Sequence, residues 1–143
     1  MSTLMTRPAR YQSGCQPQME VLDMKYMLLI YTDPEAAPVA GTPEFDLTHH
    51  RWMTYTDDLA ATGTLVAGDA LQSAETATTV RVRSGDRLTT DGPFAETKEM
   101  LGGYYLIDVA GLDEAIEWAE RMPNITYGSV EVRPVLDFLG DGG

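Results

Sequence analysis

The residues best suited to chemistry in this chain are gathered in one short run. From 91 to 99, DGPFAETKE sets Asp91, Glu96, Lys98 and Glu99 beside Gly92, Pro93, Phe94 and Thr97. Carboxylates, an ammonium and a hydroxyl so close together can hold a polar ligand by charge-assisted hydrogen bonds, or they can pair with one another. Asp91 is of the type that accepts bonds from nearby backbone N–H groups in an Asx-turn, and Gly92 with Pro93 sets a chain reversal. Phe94 is expected to fill apolar space beneath that turn. The run reads equally as a polar collar around a ligand and as a structural corner with solvated charges.

A second group lies between 46 and 57. Asp46, His50 and Asp57 recur at i, i+4 and i+11, on one side of a helix but over three turns, which is too long a span for one ion. Asp46 and His49, at i and i+3, are spaced to give two ligands to a metal. With no HExxH pattern and no cysteine cluster, neither a metal nor a cofactor is expected. The chain has one cysteine, Cys15, so no internal disulfide is possible and no oxidising compartment is implied. It contains no GxGxxG, Walker or GxSxG motif, which leaves nucleotide and serine-hydrolase chemistry without local support.

Composition narrows the partners. The 143 residues carry 22 acidic and 10 basic side chains, a net charge of -12 that disfavours nucleic acid and anionic membranes. The longest apolar run, YMLLIY at 26–31, falls far short of the roughly 20 residues of a membrane span. A cytoplasmic protein with one core is expected. Residues 1–23 lack apolar periodicity and a signal-peptide h-region, and read as a poorly ordered or peripheral extension. Residues 24–143 then form a single domain.

Several elements must position the candidate residues. KYMLLIY (25–31) is a short apolar run suited to a buried strand. Thr42 followed by Pro43 predicts a helix start, and Phe45, His49, Trp52, Thr56 and Leu59 form its apolar stripe, widened by Met53 and Ala60. Gly63 closes that helix as a left-handed cap. TLVAGDAL (64–71) is a further strand. TTVRVR (78–83) followed by SGD and RLTT is a hairpin in which Val80 and Val82 alternate with two arginines. GGYYLIDV (102–109) is a central strand whose paired glycines allow a bulge or close backbone packing. GLDEAIEWAERMP (111–123) predicts a second helix with Leu112, Ala115, Ile116 and Ala119 on one face. A last strand alternates Val130 and Val132 with Glu131 and Arg133, and Pro134 marks an edge or bulge. The succession is an α+β, ferredoxin-like split βαβ plan, with an antiparallel sheet and two helices on one face. The other face has no helix to cover it, so a symmetric homodimer with stacked sheets is expected.

The segments MKYMLLIY, TTVRVR, TDGPFAETKEMLGGYYLIDV, DEAIEWAERMP and GSVEVRPV together resemble the YCII-related, or DGPF-domain, family over nearly all of residues 24–138. The resemblance implies a dimeric α+β barrel. It brings no settled reaction, although bacterial members are often encoded beside extracytoplasmic-function sigma factors. It also implies a His/Asp pair, with the histidine on the first helix and the acid just after the second strand. Here the expected histidine position is Trp52. His49, one turn away on the same stripe, and Asp69 in AGDAL are the nearest matches. A carboxylate beside an imidazole favours its protonated form and fixes its tautomer, the arrangement of a general base.

The expected function is therefore a dimeric small-molecule binder, with an enzyme using His49 and Asp69 as its stronger form. Its pocket would lie between the sheet and the first helix, lined by Tyr26, Tyr31, Trp52, Tyr104 and Tyr105. Asp91, Phe94, Thr97 and Lys98 would form its rim. The alternative is a non-catalytic accessory or regulatory protein, linked to sigma-factor signalling through a protein partner.

Overall fold

The computed structural model describes residues 24–95 and 97–136. The extension 1–23, Cys15 within it, Glu96 and residues 137–143 lie outside the described residues. Six strands and two helices follow in the order β1 (Met24–Thr32), α1 (Pro43–Ala61), β2 (Leu65–Ala70), β3 (Thr78–Arg83), β4 (Asp86–Asp91), β5 (Met100–Val109), α2 (Leu112–Glu120) and β6 (Gly128–Pro134). Four strands build one antiparallel sheet in the order β2-β5-β1-β6, and β3 with β4 forms a separate two-stranded sheet. Both helices pack on one face of the larger sheet, so the molecule is an α+β protein of ferredoxin-like plan.

The ends of α1 follow from the local sequence. The Thr42 hydroxyl accepts the Phe45 N–H at 3.2 Å, Pro43 occupies the first turn, and Gly63 takes φ +76°. The Gly63 N–H reaches the Ala60 carbonyl at 3.1 Å and the Thr64 N–H reaches Leu59 at 3.0 Å, the paired bonds of a Schellman motif. The hairpin turns through Ser84 and Gly85, both at positive φ, as a tight connection matching the strand twist requires. In β5 the bulge falls opposite Ile30 and Tyr31, where Gly102 is the extra residue. A Cβ on Gly103 would stand 2.9 Å from the Asp69 carbonyl oxygen, so the close approach of β2 needs glycine there. Proline 134 sits at the end of β6, which is an edge strand bonded only to β1.

The core lies between the sheet and the helices. Leu28, Leu59, Ile107, Val109 and Met122 are fully buried, with Tyr26, Ile30, Tyr55, Ala115 and Trp118 around them. The expected stripes need two corrections. On α1, Tyr55 and Leu59 are buried with Trp52 and Thr56 half-buried, while Phe45, His49 and Met53 are exposed. A step of 100° per residue puts Leu59 between Tyr55 and Trp52 on one narrow face, and only the C-terminal half of the helix meets the sheet. On α2, Ala115, Trp118 and Ala119 are buried, whereas Leu112 and Ile116 face outward. On α2 the large Trp118 ring joins Ala115 and Ala119 on the buried face in place of Leu112 and Ile116, and on α1 Tyr55 joins Leu59.

Candidate functional site

Alternation along the strands decides which candidate residues share a face. Tyr26, Leu28 and Ile30 of β1 lie opposite Ile107, Tyr105 and Gly103 of β5, all on the helix side. Met27 and Leu29 lie opposite Leu106 and Tyr104, on the side that, among the described residues, has no helix. Asp69 of β2 is the cross-strand partner of Tyr104 and shares that bare side.

On the helix side, the space beneath α1 is filled by aromatic rings. Trp52 stacks on Tyr105 with centroids 6.4 Å apart, and Tyr55 meets Trp52, Tyr105 and Trp118 edge-on at 5.6 to 6.2 Å. The polar tips are satisfied within the cluster. Tyr55 Oη donates to the Trp118 carbonyl at 2.7 Å, and Thr56 Oγ1 and Tyr105 Oη share a hydrogen bond of 2.5 Å. Burial, reinforced by Tyr105 and opposed by Arg121, pushes the Tyr55 phenol well above its ordinary value near 10. Burial also raises Tyr127, against a lowering hydrogen bond from Trp52. The five aromatics expected to line one pocket are divided: Tyr26, Trp52 and Tyr105 stand on the helix side, Tyr31 and Tyr104 on the bare side.

The bare side carries a different chemistry. Tyr104 Oη donates to Asp69 Oδ2 at 3.0 Å, and that hydrogen bond, then the carboxylate's charge, raises the phenol's pKa. Next to this pair, Met27, Leu29 and Leu106 form an apolar centre. Along β6, Tyr31 Oη donates to Glu131 Oε1 at 3.4 Å and Arg133 pairs with Glu131. Lys25 lies across from Asp108 at the far end.

His49 is exposed on the second turn of α1, and among the described residues no hydrogen bond or ion pair joins it to Asp69. The sheet stands between them, since α1 packs on one face and Asp69 projects from the other. His50 is exposed as well. The sequence places the two residues in the right order along the chain, but strand parity sends the carboxylate away from the helix.

The DGPFAETKE run behaves as a set of ties. Lys98 Nζ lies 3.8 Å from Asp33 Oδ2 at the end of β1, and Glu99 Oε1 accepts the Ser129 hydroxyl at 2.7 Å at the start of β6. Thr97 Oγ1 donates to the Glu99 carbonyl. The Gly92 N–H meets the Ala77 carbonyl at 2.7 Å and the Gly92 carbonyl accepts Thr79 Oγ1 at 2.8 Å, fastening the foot of the hairpin. Asp91 is exposed, and among the described residues its carboxylate makes no Asx-turn bond. Phe94 does not plug the turn; it is 77% exposed and Arg81 lies over its ring at 5.2 Å. The reason is that the hairpin stands apart from the main sheet, so no core exists beneath the turn for the ring to enter. Of the residues expected at a ligand site, the structure brings Asp69 and Tyr104 into contact. Trp52 is packed on the opposite face, and Asp91, Phe94, Thr97 and Lys98 are spread along the exposed loop. The residues that sequence reasoning missed are Asp33 and Ser129, the partners of Lys98 and Glu99. Asp33 directly follows β1 and Pro34 follows it, a turn-forming pair that marks the position.

An α+β domain of ferredoxin-like plan whose signature loop ties three strand ends together is the class of protein that these features define. The YCII-related domain model matches residues 24–139, and the chain belongs to that family. An uncharacterized protein of Rhizobium meliloti (strain 1021) is 36% identical over 114 residues, covering 78% of this chain and 92% of the relative. Among the described residues, no helix is long and apolar enough to cross a membrane.

Proposed function

We propose that this YCII-related protein works as a homodimer that binds a small molecule at the rim of its bare sheet face. The observation that carries the reading is the make-up of that face: Met27, Leu29 and Leu106 form an apolar centre, and the Tyr104–Asp69 pair stands beside it. Interfaces commonly combine an apolar middle with a hydrogen-bonded polar rim, and stacking two sheets about 10 Å apart buries such a face in both copies. Asp69 uses one oxygen on Tyr104, and its second oxygen suits a hydrogen-bond donor or a cationic group on the ligand. The packing of Trp52 on Tyr105 supports this side of the sheet over the space beneath α1.

The test is a thermal-shift screen of metabolites and metal ions, with molar mass measured by light scattering, on the wild type, Asp69→Asn and His49→Ala. A stabilising compound that acts on the wild type and on His49→Ala but not on Asp69→Asn is the expected result. A compound whose effect disappears with His49→Ala would instead restore a His49-dependent site. If no compound stabilises the wild type, the ligand reading fails, and a monomeric wild type defeats the dimer.

A further inference from the structure

The β3–β4 hairpin is the least supported part of the described structure. It forms its own two-stranded sheet, and Val80, Val82 and Leu88 are 58%, 59% and 49% exposed. Isolated two-stranded hairpins are marginal in water and gain stability when a face is covered. Its charge is also unlike the rest of the chain. Residues 78–91 hold Arg81, Arg83 and Arg87 against Asp86 and Asp91, a net charge of +1 in a chain whose total is -12.

One face of the hairpin has a symmetry of its own. Cross-strand partners Thr78 and Asp91, Val80 and Thr89, and Val82 and Arg87 share this face, and all six are exposed. Reading from one end to the other, it runs from a carboxylate through Val80 and Thr89 to a guanidinium. A two-fold axis crossing the strands at Val80 and Thr89 sets Val80 on the partner's Val80. The same axis sets Arg87 on the partner's Asp91, and Asp91 on the partner's Arg87. Such self-complementarity is what an isologous contact requires.

We infer that this face of the hairpin is a clasp for the same face of a second copy. The inference rests on the homodimer proposed above, because six residues per copy fall well short of the roughly 800 Å² per partner that holds a stable complex. The hairpins therefore tighten and align a dimer whose main contact is the bare sheet face. Asp91 then serves as an interface charge and not as a ligand contact.

Two measurements decide this. In a Cys15→Ser background, Thr89→Cys near the proposed axis should be cross-linked into dimers by a short bismaleimide, whereas Thr90→Cys on the opposite face should remain monomeric on a denaturing gel. Separately, Arg87→Asp gives a face with two acids and Asp91→Arg one with two bases. Each alone should raise the dimer dissociation constant about tenfold, and an equimolar mixture should recover wild-type affinity through the mixed dimer. A wild-type dimer that forms while Thr89→Cys does not cross-link and both charge variants associate normally overturns the clasp and leaves the sheet-stacked dimer standing. A monomeric wild type overturns both.

Discussion

The two faces of the four-stranded sheet are built from the same strands, yet they carry opposite kinds of side-chain environment. Leu28 and Leu29 are neighbours in β1: Leu28 is fully buried under the helices, and Leu29 is half-exposed beside Tyr104. On the covered face, polar tips are consumed within the fold, as in the Tyr55 bond to Trp118 and the Thr56 bond to Tyr105. On the bare face, carboxylates, phenols and a guanidinium pair along a surface that neither α1 nor α2 covers among the described residues. The difference teaches that the covered face is committed to stability, whereas the bare face leaves polar groups such as the second Asp69 oxygen accessible, which is why the proposed binding is placed there.

This contrast is most directly broken by truncating the two leucines. Leu28→Ala should lower unfolding stability by about 3 kcal/mol, within the range for emptied core sites. Leu29→Ala should cost less than about 1 kcal/mol in the monomer and act chiefly on the affinity of the proposed dimer. Urea denaturation with light scattering separates the two, and equal costs would mean that the faces are not distinct.

A smaller effect is expected at Tyr55. Replacing it with Phe removes the Tyr55 hydrogen bond to the Trp118 carbonyl, which keeps the Arg121 N–H at 3.3 Å, a loss of about 1 kcal/mol at neutral pH. Because burial raises the folded phenol's pKa, the unfolded chain releases that proton first, near pH 10. The contribution is therefore complete below pH about 10 and is lost as pH rises from there toward the folded value. Melting temperatures between pH 8 and 11 should fall less steeply in Tyr55→Phe than in the wild type. A parallel alkaline slope would show that the Tyr55 hydroxyl does not titrate with unfolding.

The smallest change should come from Lys98→Met. Its side chain is 84% exposed with the ammonium 3.8 Å from the Asp33 carboxylate, so stability should move by no more than about 0.5 kcal/mol. A ligand whose thermal shift disappears in this variant would move the binding site from the bare face to the signature loop.

Much of the fold was legible because its signals are local. The Thr42–Pro43 start, the Gly63 cap, the Ser84–Gly85 turn and the Gly102 bulge each depend on a few adjacent residues and their allowed backbone angles. The helix faces were less so: Phe45 and His49 continue the Trp52 stripe in sequence, but the sheet does not extend beneath them. The candidate site was the least legible part. Asp69 was picked out beside His49, yet its observed partner is Tyr104, 35 positions away in sequence.

By itself the sequence determined the order of strands and helices, their caps and turns, and membership in the YCII-related family, because propensity, periodicity and motif spacing act over short stretches of chain. Only the tertiary structure decided which side of the sheet each strand residue occupies relative to the helices. In a strand, a shift of one residue reverses the face, and the register that fixes it comes from pairing between strands distant in sequence. That register is why Asp69 meets Tyr104 and why Trp52 stacks on Tyr105, while the separation of the hairpin from the main sheet leaves Phe94 and the hairpin valines in solvent.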